Sequence, residues 1–224
     1  MQINIGKYIK LYPQTADTSS HDREFYSRNN LKWELAPSPY HGVGVGGHFP
    51  APNLSGGFHG ILKQYWDYFT ALYFPDQQIN VLLVSENVNV KKQLEVLYPN
   101  WIIDIVDLYP ELQSKDDGII VADVCLVDNP LPKNKYHLII SQALLEHVYN
   151  PFQVMVNLGQ SLVENGVLIT HTHAPAAGYH RYPCDYIRFM KDWWYDLEKY
   201  IDELELLELY QFENNHVFSC YRKV

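Results

Sequence analysis

The sequence predicts an α/β protein with a mostly parallel sheet, helices on both faces and a C-terminal antiparallel hairpin. Three observations carry that expectation. Between Tyr136 and His171 the chain reads as strand, helix, strand, and so short a crossover makes the two strands parallel neighbours. Upstream, short apolar runs recur at Val81–Val84, Trp101–Leu108 and Gly118–Ala122, with a helical pattern between the first two. Downstream, Leu204–Phe212 and His216–Tyr221 flank Asn214-Asn215, a hairpin signal between alternating strands.

Residues 1–59 read as an irregular N-terminal extension and 60–224 as the folded domain. The extension shows little periodicity and holds Pro13, Pro37, Pro39, Pro50 and Pro52 around the passage HGVGVGGHFPAPNLSGG, His41 to Gly57. A phosphate-binding loop should follow a buried strand and open a helix, whereas Pro50 and Pro52 block a helix straight after these glycines. The passage reads better as a lid or arm over a pocket.

Gly60–Phe74 follows as a buried amphipathic helix with Ile61, Leu62, Tyr65, Trp66, Phe69, Leu72 and Tyr73 on one broad face, ended by Pro75. Val81–Val84 is the first strand, and Ser85-Glu86-Asn87-Val88-Asn89 leads into a helix over Val90–Tyr98. The second and third strands follow at Trp101–Leu108 and Gly118–Ala122. In the central unit, His137–Ser141 has the composition of a strand buried on both faces. Asn150 and Pro151 then suit an N-cap and first helical position. Phe152, Val154, Met155, Leu158, Leu162 and Val163 give that helix one apolar stripe, and Asn165-Gly166 supplies a left-handed stop before Val167–Thr170. A last helix over Asp192–Ile201 turns Trp193, Trp194, Leu197, Tyr200 and Ile201 inward.

The net charge of −9 and only 17 basic residues argue against a protein that grips phosphate backbones. Nucleic acid is not expected as a partner. No apolar run approaches the roughly 18 residues needed to span a bilayer, so no membrane partner is expected either. Cys125, Cys184 and Cys220 are far apart and odd in number, and the start MQINIGKYIK lacks the apolar core of a signal peptide. A reduced, cytoplasmic protein is the expectation. With 18 Tyr and 5 Trp the chain suits a pocket for an organic small molecule or a large interface, and composition does not separate these. Oligomeric state is not legible.

The run IISQALLEHVYNPFQVMVNLGQSLVENGVLIT resembles the second half of the class I S-adenosylmethionine-dependent methyltransferase family, and VADVCLVDNPLPKNKYHLIIS resembles the segment before it. Roughly the last two thirds of the chain can be laid on that family; the first third cannot. The resemblance implies a Rossmann-like, seven-stranded, mostly parallel sheet closed by the antiparallel hairpin, and S-adenosylmethionine as cofactor. Its glycine-rich first turn falls on Ser85, Asn87 and Asn89, none of them glycine. Ser85, Glu86 and Asn87 would lie under the methionine moiety, Asp107 would hold the ribose hydroxyls, and Asp123, with Val124 beside it, would accept from the adenine amino group. Asp107 could equally be a solvated strand end, and Asp104 is a second choice for its role.

Ser141 and Gln142 end the fourth strand at the carboxyl edge, where ligands of open α/β sheets bind. Glu146 and His147 come from the LEHV-like turn, and His147 is either a base or a support of the pocket. After the fifth strand, His180 could take a proton near neutral pH and Arg188, with Asp185 beside the expected pocket, could hold a carboxylate or phosphate; Asp185 and Arg188, three apart, could also pair as a helix-surface ion bridge, and the two readings are compatible. A metal reading of His171, His173 and His180 with Asp185 matches no metal-ligand spacing, so no metal is assigned. The resulting expectation is methyl transfer to an oxygen or nitrogen of a small, acidic or sugar-like metabolite. The alternative is a methyltransferase-like binding or regulatory protein that has lost its cofactor.

Overall fold

The computed structural model describes residues 57–86, 88–108, 119–179, 184–212 and 215–224. Residues 1–56 of the extension expected over 1–59, together with Asn87, Gly118, His180 and Asn214, lie outside them, as do the side chains of residues 57–61. The elements run α1 (Gly57–Tyr73), β1 (Ile79–Val84), α2 (Val88–Leu97), β2 (Trp101–Asp107), β3 (Ile119–Val121), β4 (Tyr136–Gln142), a 3-10 turn (Leu145–His147), α3 (Pro151–Ser161), β5 (Leu162–His173), α4 (Lys191–Tyr200), β6 (Leu204–Phe212) and β7 (His216–Lys223). Among the described residues the strands form one sheet in the order β3-β2-β1-β4-β5-β7-β6. The first five are parallel, and β7 runs antiparallel to both β5 and β6.

The central strands are apolar at successive positions because both of their faces are covered. Val81, Leu83, Leu138, Ile140, Val167 and Ile169 meet Leu62, Tyr65 and Phe69 of α1 and Leu94 of α2. On the opposite face Leu82, Val84, Ile139 and Leu168 meet Val154, Met155 and Leu158 of α3 and Trp194 and Leu197 of α4. Each such aliphatic side chain contributes about 1.5–3 kcal/mol by leaving water. The direction of α1 is fixed by its ring contacts. Phe74, just past its end, packs edge-on against His137 at the amino end of β4, while Tyr65 lies 6.4 Å from Phe218, the register partner of His171 in β5. The helix therefore starts at the carboxyl edge of the sheet.

Three expected inward positions are not inward, one of them Phe152 at the start of α3, 39% exposed. Leu72 is 53% exposed and Tyr200 72% exposed, each at the last turn of a helix where the face has rotated away from the sheet. The largest difference concerns α3. Its N-cap is as expected: the Asn150 side chain accepts from the Gln153 amide, with Pro151 at N1. The helix ends at Ser161 rather than at Asn165-Gly166, because the segment before β4 captures its last carbonyls. Asn134 and Lys135 amides donate to Gln160 and Ser161 carbonyls at 3.0 and 2.9 Å, and Leu162 pairs with Tyr136. Leu162 and Val163 are extended, and the left-handed Asn165 (φ 61°) serves a bulge within β5 between the Tyr136 and Leu138 registers. Gly166 is required there, since a Cβ would sit 2.8 Å from the Val163 carbonyl oxygen and 2.9 Å from that of Tyr136.

Candidate functional site at the carboxyl edge

The carboxyl ends of β1, β2, β3, β4 and β5 carry nearly every residue to which the sequence assigns chemistry. At β1, Ser85 takes φ 57° and donates its amide to the Val106 carbonyl at 2.8 Å. The backbone thus keeps the left-handed turn expected of a glycine, held by the neighbouring strand. Ser85 is exposed, Glu86 half-buried, and α2 opens at buried Val88. Asp107 ends β2 half-buried, and its carbonyl accepts the Ala122 amide at 3.1 Å. Asp123 follows β3, and one of its carboxylate oxygens accepts the Cys125 amide at 2.8 Å, closing an Asx turn. Asp104, the second choice for the ribose role, sits lower in β2 and is held by Lys135 Nζ at 2.6 Å and the Tyr136 hydroxyl at 2.9 Å. Those contacts make it an anchor for β4, away from the edge.

The loop that carries Asp123 and Val124 has a support that sequence patterning does not show. Asn157, on the buried side of α3 and 1% exposed, donates from one amide nitrogen to the carbonyls of Val124 and Leu126 at 2.9 and 2.7 Å. Its own oxygen accepts from Gln153 at 3.0 Å. The signal was a large polar residue at a core spacing, among Val154, Met155 and Leu158.

At β4, Ser141 is fully buried with no hydrogen-bond partner for Oγ among the described residues, and Gln142 is half-buried. Ala143 then takes φ 47° and donates its amide to the His171 carbonyl at 2.8 Å. This swings the chain into the 3-10 turn, which buries Glu146 completely. The Glu146 carboxylate accepts the Thr172 hydroxyl at 2.5 Å on one oxygen and faces His173 Nδ1 at 3.0 Å with the other. His147 Nε2 lies 3.9 Å away. Burial pushes the Glu146 carboxyl up, but hydrogen bonds from His173 and Thr172 and the charge of His173 outweigh it, leaving it lowered to about 2. Beside it, His171 Nε2 and His216 Nδ1 are hydrogen-bonded at 3.0 Å, and the rings of His171, His173 and His216 lie 5.1–6.2 Å apart. His216 comes from β7, a strand remote in sequence, so its arrival was not legible. Among the described residues no three His, Cys, Asp or Glu side chains are arranged to hold a metal ion.

The loop after β5 is stitched back onto the turn. The Tyr186 amide donates to the Glu146 carbonyl at 2.7 Å, His147 Nδ1 donates to the Cys184 carbonyl, and Cys184 Sγ donates to the His147 carbonyl at 3.3 Å. Asp185 and Arg188 pair through two contacts, and Arg188 also donates to the Ala177 and Gly178 carbonyls at 3.2 and 2.6 Å. The expected pair exists, but in irregular chain before α4 rather than on a helix surface. With the Asp185 side chain 1% exposed and that of Arg188 11%, the two close a buried clip across the loop. Tyr149 and Tyr186, both exposed, meet edge-on at 6.2 Å outside this turn.

The sequence matches no protein-family model, and none of the curated proteins matches it. Solved structures do resemble the fold. The CurJ carbon methyltransferase superposes with a TM-score of 0.55 at 12% identity, over 73% of this chain and 53% of its own, so this chain spans about half its length. An S-adenosylmethionine-dependent methyltransferase from Mesorhizobium loti gives 0.54 at 10% identity, over 70% of this chain and 97% of its own. A 1,6-didemethyltoxoflavin-N1-methyltransferase from Burkholderia thailandensis, solved with 1,6-didemethyltoxoflavin and S-adenosylhomocysteine bound, gives 0.51 at 11% identity over 100% and 92%. The fold is that of the class I S-adenosylmethionine-dependent methyltransferases. Among the described residues no helix is long and apolar enough to cross a membrane, and all three cysteines are free.

Proposed function

We propose that the protein binds S-adenosylmethionine and transfers its methyl group to an oxygen or nitrogen of a small metabolite. The observation that carries this reading is the pair of carboxylates, Asp107 and Asp123, on the ends of adjacent strands beside the left-handed turn at Ser85. Their chemistry fits the cofactor. A carboxylate with two acceptor oxygens suits a ribose diol, and Asp123, fixed by its Asx turn, can still accept from an amino group. Ser85 supports the fit in a second way, because its backbone takes the conformation in which a turn can approach a ligand closely. The cofactor supplies an activated methyl group; the protein's part is to place donor and acceptor in line and to manage the acceptor's proton.

The reaction needs little covalent chemistry from side chains, so a turn without glycine is compatible with activity. Ser141 and Gln142 would line the floor between donor and acceptor. His147, with Nδ1 committed to the Cys184 carbonyl, would support the wall of the pocket. The Asp185–Arg188 clip would shape its outer loop, and His180, which follows that clip's carbonyl partners in sequence, remains an expected substrate contact.

Isothermal titration with S-adenosylmethionine and S-adenosylhomocysteine tests the reading. Micromolar binding that is lost in Asp123→Ala supports it. No binding at millimolar ligand overturns it in favour of a protein that uses the fold for binding or regulation without the cofactor.

A further inference from the structure

Glu146, His173, Thr172, His171 and His216 form a polar cluster that the cofactor does not account for. Its place on the sheet says what it could serve. Under the reading above, Asp123 beyond β3 and Asp107 on β2 hold the adenosine, so the molecule runs across the sheet toward β1 and β4. Its reactive end then faces the next strand in that direction, which is β5. His173 is the last residue of β5, two places beyond His171, the partner of Gln142 at the end of β4.

The cluster is also built as a base would be. Glu146 is fully buried and acceptor-only in its ionised form, so the hydrogen between it and His173 belongs to Nδ1. That fixes the tautomer in which Nε2 carries the lone pair. The Nδ1 atom is itself buried, while the His173 side chain keeps 17% of its surface accessible, so the accessible part lies elsewhere on the side chain. Thr172 satisfies the second carboxylate oxygen, leaving Glu146 no freedom to turn away.

We infer that His173, oriented by Glu146, takes the proton from the methyl acceptor, and that the acceptor is therefore a hydroxyl or a protonated amine. This rests on the proposed methyl transfer. As the acceptor's oxygen or nitrogen bonds to the methyl carbon, the carbon–sulfur bond breaks and its electron pair stays on sulfur. A hydroxyl gives its proton to Nε2 as its oxygen attacks, whereas a protonated amine gives it up first and so frees the lone pair that attacks; in both cases the buried Glu146 carboxylate balances the imidazolium. His173 is the catalytic residue and Glu146 the positioning residue. Among the described residues the charged or titratable groups facing His173 are Glu146 from the turn, His171 from its own strand and His216 from β7, with His147 3.9 Å from the Glu146 carboxylate.

The test uses the full chain and two defined ligands. S-adenosylmethionine carries a sulfonium charge that S-adenosylhomocysteine lacks, so a protonated His173 near the methyl group repels only the first. Titration calorimetry at pH 5.5, 6.5, 7.5 and 8.5 reads the ratio of their dissociation constants. The ratio should rise toward low pH by at least about threefold, the repulsion of two unit charges about 6 Å apart at the dielectric of water. In His173→Gln the ratio should be flat. In Glu146→Gln its rise should move to lower pH, because the anion that favours the imidazolium is gone. Imidazole nitrogen shifts of the unmodified protein give a second measurement that no variant can spoil: His173 should titrate at lower pH with S-adenosylmethionine bound than with S-adenosylhomocysteine. Equal titration with both ligands, or a pH-dependent ratio that persists in His173→Gln, overturns the assignment. Failure of the unmodified protein to bind either ligand overturns the methyltransferase reading itself, and with it this inference.

Discussion

Replacing Glu208 with glutamine should change how stability depends on pH, because this carboxyl is buried and no charge among the described residues compensates it. Glu208 lies in β6 and is 2% exposed, and its Oε2 has no partner among the described residues. A bulge between Leu206 and Glu208 turns it onto the face of Cys220, its register partner, beside the core that contains Tyr65. Burial pushes the carboxyl from 4.5 up to about 8. Between those values the unfolded chain releases a proton that the folded chain keeps, so stability falls as pH rises by ~1.4 kcal/mol per pH unit. With the folded value at about 8 and the unfolded value at 4.5, the loss reaches about 3 kcal/mol at pH 7 and levels off near about 5 kcal/mol above pH 8. An amide of the same shape carries no charge and removes this slope. Urea unfolding followed by tryptophan fluorescence at pH 5.5, 6.5 and 7.5 should show the variant gaining on the unmodified protein by about 3 kcal/mol across the range, with equal m-values. A stability difference that stays constant over those two pH units would refute the reasoning, whatever its absolute size.

Three further outcomes follow from backbone and loop geometry. Gly166→Ala should lower stability by about 2–4 kcal/mol in the same assay, since its Cβ would press on two backbone oxygens that cannot retreat without breaking the β4–β5 pairing. Asn157→Leu keeps the volume but abandons the carbonyls of Val124 and Leu126, so stability should drop by about 2–4 kcal/mol. Hydrogen exchange should show the loss concentrated at residues 123–126. Ser85→Gly relieves a side chain held at φ 57° and should raise stability by roughly 0.5–1 kcal/mol while tightening the binding of S-adenosylhomocysteine; weaker binding would mean that the serine side chain itself contacts the ligand.

The fold was legible because it is written in local patterns. Apolar runs too short for helices, the Asn150-Pro151 start and the hairpin about Asn215 each specify an element from its own residues, and the sheet order follows once they are strung together. What escaped depends on partners far away in the chain. The end of α3 could not be read from Asn165-Gly166, because the amides that stop it belong to Asn134 and Lys135. The inward turn of Glu208 needs a bulge, and one inserted residue reverses the face of every position that follows. The site divides in the same way. Asp107 and Asp123 sit at strand ends that the pattern places, whereas the histidine cluster needs His216 from β7 to fold against His171 of β5. Arg188 has the chemistry of an anion anchor, and only the loop path shows that Asp185 and two carbonyls already engage it.

The distribution of backbone strain points to the same edge without reference to side-chain chemistry. Among the described residues five non-glycine positions have positive φ: Asp76, Ser85, Asn134, Ala143 and Asn165. Asp and Asn tolerate the left-handed region, since their short polar side chains bond locally, so three of the five need no special account. Ser85 and Ala143 have no such reason, and each is held there by a backbone bond to an adjacent strand, Ser85 to Val106 and Ala143 to His171. They immediately follow β1 and β4, the two adjacent strands at which the sheet order β3-β2-β1-β4-β5 reverses its direction. That reversal opens the crevice in which doubly wound sheets take their ligands. Strain of about 1–3 kcal/mol at such positions persists only where surrounding structure imposes it. Here both neighbouring strands impose it at the mouth of one crevice, with Asp107 and Asp123 on one side and Glu146 with His173 on the other.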